Sequence, residues 1–215
     1  ALPHVELSTD HPALALFGCQ SPRWTLDADG AEVRGSGPAQ LLRREGAERA
    51  VRTFDDDADF AVLVLDADRL PGEALVETVA EATGLPTSAV FVLVAPTNSL
   101  AGSVAAAARA GERALHRLVA VGHDPTDAMS VTASAPVAPL APSDAEARAR
   151  STAAVAGGGR VHLVVGADVE HPAGLAGAES DDVTAPAQVT VDVAGGPVHV
   201  GGGVDERQLA ADLGL

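Results

Sequence analysis

Several residue types are rare or missing in this chain of 215 residues, and each absence narrows what the protein does. It has no lysine, no isoleucine and no tyrosine, and Cys19 is its single cysteine. One cysteine forms neither an internal disulfide nor a zinc cluster, so a reducing, cytoplasmic setting is expected. With no isoleucine or tyrosine, valine must serve as the residue that marks buried strands.

Positive charge is also scarce. Lys+Arg total 14 against 30 Asp+Glu, which gives a formal net charge of -16 at pH 7. Binding to phosphate backbones or anionic lipid needs a basic surface, so neither nucleic acid nor membrane is expected as a partner. No apolar run reaches the roughly 18 residues of a membrane-spanning helix, and the N-terminus predicts no signal peptide.

Motifs of the common hydrolase and nucleotide-binding classes are missing. The sequence contains no GxSxG, no HExxH and no glycine loop followed by Lys-Ser/Thr. The seven histidines are scattered, with no two of them four residues apart. We therefore expect no bound metal, no nucleophile-elbow serine and no cofactor held by a phosphate loop.

Hydrophobic patterning predicts an α/β fold. Two continuous apolar runs, at 59–67 and 89–95, flank an amphipathic segment at 71–84, which is the pattern of a βαβ unit. Two alternating stretches around Gly195–Gly196 predict a hairpin. Further elements are predicted as strands at 4–9 and 160–166, and as helices at 10–20, from Gly37–Pro38 onward, at 144–156 and at the C-terminus.

A long alanine-rich helix is predicted after the second apolar run, from Asn98 or Ser99 as the cap to about Val121. Its small side chains would make a thin wall that another helix or a flat ligand approaches closely. Arg109 and Glu112 are three residues apart and share one face of this helix. The spacing alone favours an ordinary surface ion pair, and the alternative is a carboxylate held by a guanidinium in a pocket wall.

Two loop segments are open to two interpretations each. The sequence GSGP at 35–38 comes before a predicted helix, so its amides could hold an anion, although turn geometry is the simpler explanation. The proline-rich segment 134–144 could face a substrate or serve as a linker, and its composition favours a linker.

Six segments, taken together and in order, resemble the methenyltetrahydromethanopterin cyclohydrolase family. The similarity extends over nearly the whole chain and includes the closing strand–turn–strand–helix. The six segments are VLVAPTNSLAGSVAAAARAGERALHRL at 92–118, TDHPALALFGCQSPRW at 9–24, GSGPAQLL at 35–42, DDADFAVLVLDADRLP at 56–71, SAPVAPLAPSD at 134–144 and GGGRVHLVV at 157–165.

The resemblance implies an α/β fold of mixed sheets with helices packed around a pocket, and an enzyme that works without metal or organic cofactor. The chain would form one cyclohydrolase-like unit over 1–215, with any sub-boundary near 122–143, and would assemble as a homo-oligomer, a trimer in the family. Its substrate would be a pterin or another heterocycle that carries a cyclic amidinium, which water opens to a formyl product.

In the family, the catalytic pair is spaced Arg-x-x-Glu on the central helix, which matches Arg109 and Glu112 here. The resemblance thus makes Glu112 the group that activates water and Arg109 the group that sets its pKa. It also implies that the GSGP loop and the proline-rich loop contact the substrate. The implied substrate-binding residues are Gly35, Ser36, Gly37, Thr97, Ser99, Ser103, Pro136 and Thr152.

The sequence departs from the family pattern at several polar positions. Ala105 stands where the family has glutamine, and Thr152, Ala153 and Ala154 stand where it has Thr-Asn-Asp. The segment before the final hairpin is shorter, and the family has a further segment before the position that matches Ala1. These departures leave two alternatives: a repurposed enzyme that acts on another heterocycle, or a subunit that needs a second chain.

Overall fold

The computed structural model describes residues 2–20, 24–43, 58–166, 175 and 184–215. Within them the chain forms an α/β structure with two mixed sheets, which confirms the predicted fold class. No helix in this part of the chain is long and apolar enough to cross a membrane. The strands and α-helices in chain order are β1 His4–Thr9, β2 Trp24–Ala28, β3 Ala31–Ser36, β4 Ala61–Asp66, α1 Glu73–Thr83, β5 Val90–Val94, α2 Leu100–Ala107, α3 Ala110–Ala120, β6 Ala128–Pro136, α4 Asp144–Gly158, β7 Arg160–Val165, β8 Gln188–Val193, β9 Val198–Gly202 and α5 Glu206–Asp212.

The chain divides into two compact units, one made of Ala1–Leu16 with Asn98–Leu215 and the other of Phe17–Thr97. Residues 122–143, where a sub-boundary was predicted, lie inside the first of these units. That both units act as one cyclohydrolase-like domain stays a prediction.

A five-stranded sheet organises the first unit, in the order β1-β6-β7-β8-β9. Only β7 and β8 run parallel, and the other neighbours are antiparallel. Alternate residues of β7 are buried, namely Val161, Leu163 and Val165. They belong to the core under α3, whose Leu115 and Leu118 are fully buried. The predicted hairpin of β8 and β9 is confirmed, and Asp205 caps α5 with its carboxylate.

A four-stranded sheet in the order β2-β3-β4-β5 organises the second unit. The predicted βαβ unit is confirmed, because β4 and β5 are parallel neighbours joined through α1. Helix α1 buries Leu75, Val79 and Ala80 and ends at Gly84, whose φ of 74° suits glycine at a helix C-terminus. Leu75 and Val79 belong to one hydrophobic core with residues of the sheet, namely Trp24, Leu26, Val33, Leu63 and Leu65.

Two elements were not predicted. The hairpin of β2 and β3 turns at Asp29 and Gly30, which both have positive φ, as an Asp-Gly turn of this type requires. The nine-residue strand β6 includes the first three residues of the proline-rich segment, Ser134 to Pro136, so the linker prediction is wrong for them.

Three predicted helices differ in form. The segment after Asp10 contains a π-helix over Ala13–Gly18, and the segment after Gly37 begins with a 3₁₀ turn over Pro38–Gln40. Residues 44–57 lie outside the described ones. The long alanine-rich helix is two helices, α2 and α3, separated at Ala108–Arg109. Cys19 is half-buried. Residues 167–174 and 176–183, before the final hairpin, also lie outside the described residues.

The close packing at the end of α4 generates a stability prediction. A Cβ on Gly158 would lie 2.6 Å from Pro136 Cγ and 2.9 Å from Leu209 Cδ2. The proline ring has little freedom to move, so Gly158→Ala should destabilise the fold by about 1–3 kcal/mol, the usual cost of overpacking. Urea denaturation at neutral pH measures this free energy of unfolding.

The matched control is Gly203→Ala, because a Cβ at Gly203 meets no atom within 4 Å. Its free energy of unfolding should equal that of the unsubstituted chain within experimental error. Equal stabilities for the Gly158 and Gly203 variants would contradict the packing described for α4, β6 and α5.

Candidate active site

The side chain of Glu112 is the central feature of the candidate site. Glu112 lies in the first turn of α3 and is only 4% exposed. A carboxylate loses its hydration when it is buried, so it must be paired and hydrogen-bonded to remain charged. Its place at the N-terminal end of a helix also favours negative charge. The interpretation of Arg109 and Glu112 as a surface ion pair is therefore wrong.

Two side chains contact the carboxylate, one at each oxygen. Arg109 donates from Nε to Oε2 over 3.1 Å, and His116 lies with Nε2 3.3 Å from Oε1. Arg109 occupies the N-cap position of α3, in the break between the two helices and three residues before Glu112, while His116 is one helical turn after Glu112. The three groups therefore share one face of α3.

The environment of Glu112 keeps it ionised. Burial raises the pKa of Glu112, but the hydrogen bond with His116 and the charge of Arg109 act in the opposite direction. Together the two partners outweigh burial, so the pKa of Glu112 lies below its ordinary value. At neutral pH the site thus holds a desolvated carboxylate, which is able to accept a proton from a bound water molecule.

The backbone of Glu112 is fixed by close packing of the preceding residue. A Cβ on Gly111 would lie 3.0 Å from Leu16 Cδ1 and 3.1 Å from Val131 Cγ1 of β6. Because glycine has no side chain, the first turn of α3 approaches the five-stranded sheet closely. Arg109 is placed by the helix break, where its N–H donates to Ala106 O over 3.2 Å.

The GSGP segment is explained mainly by packing within the second unit. A Cβ on Gly35 would lie 3.0 Å from Leu63 Cδ1, and one on Gly37, with φ of 134°, would lie 2.8 Å from the Val62 carbonyl. The Gly37 amide donates to Cys19 O over 2.7 Å and is not available to an anion. Ser36 is half-buried in β3. These contacts favour the turn interpretation over an anion cradle.

The other sequence-predicted binding residues lie in three settings. Thr97, in the second unit, donates its hydroxyl to the carboxylate of Asp66. Ser99 caps α2 by accepting from the Gly102 amide over 3.0 Å, as predicted. Ser103, Pro136 and Thr152 lie on α2, β6 and α4, three elements that pack against one another in the first unit. Substrate contact by these residues stays a prediction.

His116 was not singled out from the sequence. Its spacing of four residues from Glu112 was visible on the same predicted helix, and that spacing brings side chains together. The spacing alone did not distinguish this pair from other polar pairs on the helix. The burial of Glu112 does so, and that burial depends on the sheet under α3. Within the described ranges, no group of three or more His, Cys, Asp or Glu side chains is arranged to hold a metal ion.

Comparison with known proteins gives one consistent result. A family model described as cyclohydrolase (MCH) matches residues 1–179. The methenyltetrahydromethanopterin cyclohydrolase of Halobacterium salinarum is 42% identical and covers 99% of this chain and 76% of that protein. The protein of the same name from Methanothermobacter marburgensis is 36% identical over 77% of this chain and 52% of its own length. The one from Methanocella arvoryzae is 41% identical over 64% of this chain and 44% of its own length.

The lowered pKa of Glu112 generates a prediction about stability and pH. A carboxyl group whose folded pKa is lowered stabilises the fold fully above its unfolded pKa, and this contribution is lost as the pH falls through the folded pKa. The ordinary value for this group is 4.5. Between pH 6 and acid conditions below that value, the unsubstituted chain should therefore lose more stability than Glu112→Gln.

Urea denaturation across that pH range measures the difference in unfolding free energy between the two proteins. Glu77→Gln is the control, because Glu77 is an exposed glutamate on α1. Parallel pH dependences for the unsubstituted chain and Glu112→Gln would contradict the lowered pKa.

Proposed function

Because the chain belongs to the cyclohydrolase (MCH) family, we propose that it hydrolyses the methenyl bridge of a tetrahydromethanopterin one-carbon carrier to a formyl group. The observation that carries the proposal is the buried carboxylate of Glu112, which Arg109 and His116 contact at separate oxygens. The substrate is a cyclic amidinium, a carbon between two nitrogens that share a positive charge. Its hydrolysis requires a positioned water molecule and a group that takes a proton from it.

The reaction divides into two steps. Water forms a C–O bond to the methenyl carbon while Glu112 accepts one of its protons, which gives a neutral tetrahedral adduct. One C–N bond then breaks, its electron pair stays on the leaving nitrogen, and the hydroxyl proton moves to that nitrogen as the C=O bond forms. The overall products are the formyl compound and one proton.

Arg109 supports the first step in two ways. Its hydrogen bond to Oε2 orients the carboxylate, and its positive charge keeps the pKa of Glu112 low, so that the group is ionised before water attacks. Both effects lower the free energy needed to bring the reacting groups together in the correct charge states.

The resemblance supports further proposals about binding. Gly35, Ser36, Gly37, Thr97, Ser99, Ser103, Pro136 and Thr152 are the proposed substrate contacts, and a cytoplasmic location is proposed from the single Cys19. The relatives reported above all carry the same enzyme name, so the comparisons support neither a repurposed enzyme nor a subunit that needs a second chain.

Substitution of the base provides the direct test of the proposed function. Glu112→Gln should lower kcat for methenyl-tetrahydromethanopterin hydrolysis by about 10²–10⁴-fold, because general-base catalysis contributes on that order. The loss of the substrate's ultraviolet absorbance reports the rate. Glu146→Gln is the matched control, since Glu146 forms an equivalent ion pair with Arg150 on α4, where both side chains are more exposed.

If kcat of Glu112→Gln and of Glu146→Gln both equalled that of the unsubstituted chain, the assigned mechanism would be contradicted. If the unsubstituted chain itself left the methenyl compound intact, the substrate assignment would be wrong.

Assembly can be tested separately from catalysis. The resemblance supports a homo-oligomer, specifically a trimer, and light scattering of the purified chain measures its mass in solution. The expected mass is three times that of one chain. A mass equal to a single chain across a range of concentrations would contradict the proposed assembly.

A further inference from the structure

We propose that His116 is a positioning residue, which holds the Glu112 carboxylate in the rotamer that receives the proton from water. This inference rests on the proposed function, since it assigns a role within that reaction. His116 acts through Glu112 and does not itself contact the reacting carbon.

The first argument is geometric. The last torsion of a glutamate side chain is broad, so a carboxylate anchored at one oxygen still turns about its final C–C bond. Arg109 anchors Oε2 at 3.1 Å, and His116 lies 3.3 Å from Oε1, so the two donors fix both ends of the group. Each carboxylate oxygen has about two acceptor sites, so the one contact that the described residues make at each oxygen does not exhaust its capacity to accept from water.

The second argument is the arrangement of the three residues on α3. Arg109 precedes Glu112 by three residues and His116 follows it by four, so the carboxylate is held between its neighbours on one helix face. Gly111 packs against β6 and fixes the backbone beneath it. The main chain and both oxygens of Glu112 are thus constrained independently.

The third argument is burial. The side chain of His116 is 29% exposed, while that of Glu112 is 6% exposed. The hydrogen bond between the imidazole and Oε1 therefore lies where the carboxylate is almost fully removed from bulk water. A hydrogen bond in such a partly desolvated place constrains a side chain more strongly than the same bond at the surface.

The role of a fixed donor can be distinguished from that of a proton carrier. Glutamine can place an N–H donor near the position of the imidazole Nε2, but it does not titrate. A positioning role predicts that His116→Gln retains function. A role as proton carrier predicts that it fails to the same extent as His116→Leu.

The experiment measures kcat and KM for methenyl-tetrahydromethanopterin with three variants of the full chain. His116→Leu should lower kcat on the order of tenfold or more, since small misplacement of a reacting group costs up to about 100-fold, and should leave KM unchanged. His116→Gln should restore most of kcat. His123→Leu is the control, because His123 pairs with Asp127 at the same spacing and over 3.9 Å, outside the site.

A second readout does not depend on activity. If His116 holds Glu112, the unfolding free energies of His116→Leu, Glu112→Gln and the double variant should be non-additive, measured by urea denaturation at neutral pH. This coupling is expected even if the chain fails to hydrolyse the methenyl compound, so the proposed function and the present inference fail separately.

Three results would overturn the inference. They are additive stabilities in the double-variant cycle, an unchanged kcat for His116→Leu in an active enzyme, and a kcat for His116→Gln as low as that of His116→Leu. The third result would replace positioning by proton transfer as the role of His116.

Discussion

Burial of a single carboxylate is the constraint on which the candidate site depends. Glu112 is almost fully removed from water, and removing a carboxylate from water costs several kcal/mol unless partners compensate. Arg109 and His116 supply that compensation at separate oxygens. The same contacts keep the group charged and fix its orientation. The interactions that stabilise Glu112 as a buried ion therefore also prepare it to accept a proton from water.

A break between helices α2 and α3 determines where Arg109, Glu112 and His116 lie. Had α2 continued unbroken into α3, Glu112 would lie in a helix interior, away from any helix N-terminus. The break at Ala108–Arg109 starts a new helix just before Glu112, and Gly111 lets that start pack closely on β6. The helix dipole and the two side-chain donors then act on the carboxylate together.

Sequence patterns predicted the elements whose signals are local. The βαβ unit of β4, α1 and β5 was visible because its strands are continuous apolar runs and Gly84 ends its helix. Strand β6 was missed because alanine and serine dominate it, and both mark strands weakly. The helix break was missed because alanine favours helix on both sides of it, and neither glycine nor proline stands at Ala108–Arg109. The burial of Glu112 depends on the packing of α3 against β6 and β7, and no pattern within α3 reveals it. The spacing of His116 from Glu112 is visible within α3, but it became informative only once the carboxylate was known to be buried.

The most direct test of the central claim is the infrared difference spectrum between the unsubstituted chain and Glu112→Gln at neutral pH. The spectrum reports whether the group that the substitution removes was a carboxylate or a protonated carboxyl. The account predicts the loss of the band of an ionised carboxylate, because Arg109 and His116 outweigh burial. Loss of the band of a protonated carboxyl would show that burial prevails, and it would contradict the role of Glu112 as a base that is ready to accept a proton.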